Sequence, residues 1–197
     1  MNVTEYLQKW SVSYRDDMLG NIMPFWLKHG LDLRNGGVYT CLDRDGSLID
    51  TTKSVWFQGR FAFTCSYAYN HIEQNPEWLA AAKSTIDFIE QHCFDSDGRM
   101  FFEVTASGEP LRKRRYVFSE TFAAIAMAEY AIASGEREYA EKALKLFKDI
   151  QRFLNTPGVL EPKYWNTVQS KGHSIVMILI NTASRIRAAI ADPALDK

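Results

Sequence analysis

The feature that most constrains this chain is a recurrence of about sixty residues, the signature of repeated supersecondary units. The segment Gly37-Val38-Tyr39-Thr40-Cys41-Leu42 alternates and runs into Asp43-Arg44-Asp45-Gly46, a turn signal followed by Ser47-Leu48-Ile49. Met100-Phe101-Phe102-Glu103-Val104 likewise leads into Ala106-Ser107-Gly108-Glu109-Pro110. The turn glycines, Gly46 and Gly108, stand sixty-two positions apart. After each hairpin comes a helix that opens with an aromatic and a charged residue four apart, on one face. These are Trp56 and Arg60 in the first unit and Tyr116 and Glu120 in the second, each pair recurring at sixty. Helix pairs repeated in this way stack side by side, as a solenoid or a closed ring. A ring places its first-turn residues around a common mouth, and six helices make half of a twelve-helix ring.

Helical periodicity accounts for the remainder. The first helix is expected over about Thr4–His29, with Tyr6, Trp10, Tyr14 and Met18 spaced by four, Gly20 and Pro24 as interruptions, and Gly30 as its stop. The others are expected over about Ser54–His71, Pro76–Cys93, Ser119–Ala133, Glu136–Leu154 and His173–Ala191. The expectation is therefore an all-α chain of about six helices carrying two short β-hairpins. No tract is rich enough in Pro, Gly or Ser to divide residues 1–197 into separate domains.

Lys and Arg number 23 and Asp and Glu 24, so the net charge of -1 offers no electrostatic reason to expect nucleic acid or an anionic membrane as a partner. The longest apolar runs, such as Phe122–Met127 and Ile175–Ile180, are far too short to cross a bilayer, and no secretory signal is apparent at the N-terminus. Cys41, Cys65 and Cys93 are widely spaced and form no metal-ligand pattern, which reads as three reduced thiols in a cytoplasmic protein.

Arg60 lies in the apolar, aromatic stretch Lys53-Ser54-Val55-Trp56-Phe57-Gln58-Gly59-Arg60-Phe61-Ala62-Phe63. A guanidinium there needs a partner. It could hold a sugar hydroxyl or stabilise an enediolate oxygen, or it could pair with Glu120 on the neighbouring helix. Residue types alone favour the ion pair. Glu120 could act as general acid or base, but a first-turn carboxylate more often complements the helix dipole or orients an arginine. Trp56 and Tyr116 could be a stacking platform and a ligand phenol, with core packing as the plainer reading. His29, His71 and His92 fall near helix ends, whereas His173 opens a long apolar helix and could face a cavity. Asn181, an amide within Met177-Ile178-Leu179-Ile180-Asn181-Thr182, is expected to be hydrogen-bonded, either to neighbouring helices or to a ligand.

KSVWFQGR over 53–60, RRYVFSETFAAIAM over 114–127 and VMILINTA over 176–183 resemble the N-acylglucosamine 2-epimerase family, in order along nearly the whole chain. The resemblance implies an (α/α)6 barrel, of which this chain is the N-terminal half. The implied chemistry is proton abstraction beside the carbonyl of an open-chain sugar. Return of the proton to the other face of the same carbon epimerises; return to a neighbouring carbon isomerises. It implies a small-molecule sugar substrate and no metal or redox cofactor. Arg60 looks like the arginine that contacts substrate oxygens, and Tyr116 like a substrate-contacting tyrosine. Asn181 falls where relatives place an amide or histidine in the cavity, and Trp56 and Glu120 match supporting positions. Family members are about twice this long and keep their two acid/base histidines in the second half. Gly172-His173-Ser174-Ile175-Val176 imitates one of those motifs, GHxIE, but has Val176 in place of its glutamate, which leaves His173 a minor candidate. The active site in this chain is expected to be incomplete. The alternative is a non-catalytic carbohydrate-binding or interaction module whose half-ring closes as a homodimer.

Overall fold

Small residues set the centre of the molecule. In Phe118–Ser134 the run Ala123-Ala124-Ile125-Ala126-Met127-Ala128 is buried throughout, and so is every residue from Ser119 to Ala131. A helix lined with alanine can accept neighbours on several sides at close approach. It does so here in the computed structural model, which describes residues 2–162, 165, 167 and 172–196.

The N-terminal helix α1, Val3–Asp17, starts from a capping box: Asn2 Oδ1 accepts from the Glu5 N–H at 2.9 Å and Glu5 Oε2 accepts from the Asn2 N–H at 3.0 Å. A π-turn over Met18–Ile22 carries it without a break into α2, Met23–His29. The interruption expected at Gly20 and Pro24 is thus a wider, underwound turn in one long helix. Then follow α3 (Val55–His71), α4 (Pro76–His92), α5 (Phe118–Ser134), α6 (Arg137–Asn155) and α7 (Ser174–Ala189). Pro76 sits in the first turn of α4 beside its Asn75 cap, and Gly135, at φ 76°, ends α5 in the left-handed region. Counting α1 to α2 as one, these are the six helices expected.

Helices α3, α5 and α7 pack in a row, α4 lies against α3 and α5, and α6 lies against α5 and α7. The result is a two-layer arc. Gly59 of α3 sits beside Phe122 of α5, and further along Asn70 Nδ2 donates to Glu129, so α3 and α5 run in the same direction. A Cβ on Gly59 would come 2.7 Å from the Phe122 carbonyl carbon, so glycine is what permits this approach. No described helix is long and apolar enough to cross a membrane.

The hairpins stand at the head of α3 and α5. Strands β1 (Cys41–Leu42) and β2 (Leu48–Asp50) pair antiparallel; β3 (Lys53–Ser54), β4 (Phe101–Val104) and β5 (Pro110–Lys113) form a second antiparallel sheet in that order. Lys53 pairs with Val104, so the strand that leaves the first hairpin is stitched to the second, a link the alternation pattern does not reveal. Gly46 (φ 86°) lies over the His29 ring and Gly108 (φ 93°) over the His92 ring, with no room for a Cβ at either. Phe25 and Phe88 hold those rings at 5.1 and 5.0 Å.

These matches fix the period of the repeat. Val38 and Met100, Gln58 and Glu120, and Gly46 and Gly108 are equivalent, all sixty-two apart. Trp56 therefore corresponds to Phe118 and Arg60 to Phe122, which corrects the sixty-residue pairing of Trp56 with Tyr116 and Arg60 with Glu120.

Candidate functional site at the head of α3 and α5

An aromatic cluster forms where α3, β4 and α5 meet. The Trp56 indole takes edge contacts from Phe102 at 5.1 Å and Phe118 at 5.4 Å, and Phe122 lies 5.8 Å away. Tyr116 stacks on Phe118 at 5.7 Å. Arg60 lies across this cluster, its guanidinium 4.2 Å from the Phe122 ring centre and 5.9 Å from that of Trp56. Such cation–π contacts hold a guanidinium flat while leaving its N–H edges available.

The ion pair expected between Arg60 and Glu120 is not formed. Glu120 is completely buried, and its Oε1 accepts from Arg99 Nε at 2.7 Å and from the Met100 N–H at 3.0 Å. Its Oε2 has no hydrogen-bond partner among the described residues. Arg60 is exposed and has no carboxylate within ion-pair distance among the described residues. One arginine is neutralised inside the fold and the other is presented at its surface. Arg99 also donates through Nη2 to the carbonyls of Tyr116 at 2.9 Å and Arg114 at 3.2 Å, so it anchors the segment that carries Tyr116. Sequence reasoning missed Arg99. The available signal was the buried Glu120 itself, which requires a cation.

Lys53, at the start of the KSVWFQGR motif, is also internal. Its ammonium, fully buried, donates to Asp32 Oδ2 at 2.8 Å and to the carbonyls of Gly36 at 2.7 Å and Ala106 at 2.8 Å, and lies 4.1 Å from the Phe88 ring centre. Burial works against the Asp32 charge. The bonds from Lys53, the Asn35 side chain and the backbone N–H groups of Asn35 and Arg34 outweigh it and hold the carboxyl well below the usual range. Gln58 clasps the Val38 backbone, accepting its N–H at 2.9 Å and donating to its carbonyl at 2.6 Å. Burial pushes the Cys65 and Cys93 thiols up to about 12, so both are poor nucleophiles.

Two concavities adjoin the cluster. Arg60 opens onto an apolar cavity of about 230 Å³ walled by Trp26, Val38, Tyr39, Phe57 and Phe61. Tyr116 lines a separate polar cavity of about 430 Å³. Arg60, Trp56 and Tyr116 thus share one aromatic surface but not one hollow.

The remaining candidates lie elsewhere. His173 precedes α7, is exposed, and lines neither cavity. Asn181 is exposed on α7, where Thr182 and Ile186 point inward. Met177 and Ile180 of the same apolar run are 58% and 68% exposed, so this face of α7 is open among the described residues. His29 and His92 support the hairpin glycines, and His71 Nε2 lies 3.3 Å from Glu129 Oε1.

The model of the family described as N-acylglucosamine 2-epimerase (GlcNAc 2-epimerase) matches residues 37–181. The N-acylglucosamine 2-epimerase of Bos taurus is 30% identical over 177 residues, which are 87% of this chain and 42% of that protein. A cellobiose 2-epimerase of Ruminococcus albus is 31% identical over 141 residues, 70% of this chain and 36% of that one. Among solved structures, the cellobiose 2-epimerase of Bacillus thermoamylovorans superposes with a TM-score of 0.83 at 20% identity, over 95% of this chain and 53% of that one. The chain spans about half the length of the relatives it matches, and the arc is half of an (α/α)6 toroid.

Proposed function

Because the chain belongs to the N-acylglucosamine 2-epimerase family, we propose that it forms the Arg60-bearing half of a sugar 2-epimerase or aldose–ketose isomerase. Its substrate is an open-chain sugar of the N-acylglucosamine/N-acylmannosamine type. Removal of the proton beside the carbonyl places negative charge on the carbonyl oxygen as an enediolate forms. A fixed guanidinium with free N–H edges stabilises that charge more than it stabilises the neutral carbonyl, which is the condition for lowering the barrier. Arg60 is the group suited to this, with Trp56 as the ring on which the sugar rests and Tyr116 as a contact at its far end. The observation that carries the reading is the contrast between the two arginines: Arg99 is paired with Glu120 at 2.7 Å, and Arg60 lies across an aromatic surface without an ion-pair partner among the described residues.

Both acid/base groups belong, on this reading, to the second half of the ring. Three of the four histidines are occupied with hairpin turns or Glu129, and His173 stands apart from the cluster. That second half also covers the flanks of the arc, where Tyr6 and Tyr14 of α1 are 49% and 69% exposed and Ile180 of α7 is 68% exposed. Free Cys41, Cys65 and Cys93 suit a cytoplasmic setting.

The test is sugar binding and proton exchange with the 197-residue chain. N-acetylmannosamine is expected to bind, and Arg60→Ala to weaken binding by about tenfold, the loss of one charge-assisted contact. In heavy water the chain alone is expected to leave the C2 proton in place. Unchanged sugar binding in Arg60→Ala would overturn the assignment.

A further inference from the structure

We infer that this sugar site includes a subsite for an anionic group on the sugar, a phosphate or a carboxylate, formed by Arg112, Arg114 and Arg115 beside Trp56. The inference rests on the sugar-site reading above and adds the charge class of the ligand.

The chain as a whole is balanced, with 23 cationic and 24 acidic side chains, yet Arg112-Lys113-Arg114-Arg115 places four cations in succession. They line the cavity of about 430 Å³ together with Tyr116 and, among the described residues, a single acid, Glu161. Lys113 is spoken for. Burial would lower its pKa, but bonds to Asp95 Oδ2 at 2.7 Å and Asp97 Oδ2 at 2.6 Å outweigh it and hold the ammonium above its usual range. The three arginines have no carboxylate within ion-pair distance among the described residues. The one side-chain hydrogen bond that their guanidiniums make among those residues is a long one, from Arg115 Nη1 to the Pro162 carbonyl at 3.5 Å.

Position distinguishes this group from a solvated basic strand. Arg112 and Arg114, two apart and so on one face, both lie over the Phe102 ring, at 5.5 and 3.6 Å from its centre. Arg114 is also 5.6 Å from the centre of Trp56, the ring that Arg60 approaches to 5.9 Å. Two guanidiniums without counter-ions therefore border one indole, one of them at the proposed carbonyl end and the other at the mouth of the cationic cavity. The backbone beneath them is held by Arg99, through the carbonyls of Arg114 and Tyr116, to the buried Glu120. Adjacent like charges repel, and a concavity focuses their field. A carboxylate or phosphate relieves that repulsion and accepts two parallel N–H bonds from a guanidinium, whereas a neutral hydroxyl does neither.

The experiment is a titration of the 197-residue chain at low salt with glucose, glucose 6-phosphate, glucuronate and inorganic phosphate, followed by NMR. Glucose 6-phosphate and glucuronate are expected to bind at least about tenfold more tightly than glucose, and their order separates a dianionic from a monoanionic preference. Arg112→Gln/Arg114→Gln is expected to abolish that preference, so that the anionic sugars bind this variant no more tightly than glucose does. Arg112→Gln alone, which leaves the Arg114–Phe102 contact intact, is expected to reduce it. Equal affinity for glucose and the anionic sugars overturns the inference while the sugar site stands. Inorganic phosphate binding as tightly as glucose 6-phosphate also overturns it, since charge alone then suffices. Binding of no sugar at all overturns both readings.

Discussion

In the first unit an amide closes the loop at the head of α3: Gln58 accepts the Val38 N–H and donates to the Val38 carbonyl, satisfying both backbone groups of that residue without charge. In the second, the equivalent position holds Glu120, which takes the Met100 N–H on one oxygen and must import Arg99 to be tolerated in the interior. Two residues further along the comparison reverses. The first unit presents Arg60, and the second places Phe122 there, directly beneath that arginine. Units of the same build are thus charged at different depths. The first presents Arg60 at the surface, where it can meet a ligand; the second buries Arg99, where it holds a loop. A repeat fold can keep its architecture and vary its chemistry in this way, because the loop-closing position accepts any side chain that satisfies the facing peptide.

The comparison breaks most sharply at the internal pair. Arg99→Ala leaves Glu120 buried without a cation and frees the carbonyls of Arg114 and Tyr116. A stability loss on the order of 3–5 kcal/mol is expected in denaturant titration. Replacing both members, Arg99→Met with Glu120→Gln, recreates the amide of the first unit and is expected to cost less than Arg99→Ala. A double variant as unstable as the single one would show that the two units are not interchangeable.

The first unit has its own buried ions, Lys53 and Asp32, and these sharpen the contrast through pH. The Asp32 carboxyl is held below its usual range, first against burial and then by Lys53. Its contribution is therefore present above the unfolded value and is lost as pH falls below about 4. Asp32→Asn is expected to cost roughly 3 kcal/mol at neutral pH, since Lys53 keeps the Gly36 and Ala106 carbonyls. The gap from the native chain is expected to narrow as pH falls, because the native chain loses what the variant never had. A gap that widens in acid would contradict the assignment. Gln58→Leu, which strands the Val38 N–H and carbonyl, is expected to cost about 2 kcal/mol, measured by thermal unfolding.

Much of this arrangement was legible in advance, and what was not has physical causes. Helix limits followed from periodicity, and hairpins from Asp-Gly and Ser-Gly turns, because both depend on local sequence. The register did not follow. Matching like with like paired Trp56 with Tyr116 and Arg60 with Glu120, whereas the fold equates Gln58 with Glu120, which share a hydrogen-bonding role but not a charge. Arg99 was invisible because it sits in a loop, twenty-one residues before the carboxylate it serves, the same separation that divides Asp32 from Lys53. Asn181 shows how an apolar run can be read too simply. Its apolar surroundings imply burial only if something covers that face of α7, and in this half-ring nothing described does.

Arg60 gives the smallest expected effect on stability and the most discriminating one on function. It is exposed, its contacts are with ring faces, and it closes no loop. Arg60→Ala is therefore expected to shift unfolding by no more than about 0.5 kcal/mol while sugar binding falls about tenfold. Arg60→Lys keeps the charge but loses the planar fork, so it is expected to recover only part of the binding. A large stability loss in Arg60→Ala would place Arg60 with Arg99, as a strut of the fold, and would remove the distinction on which the functional reading depends.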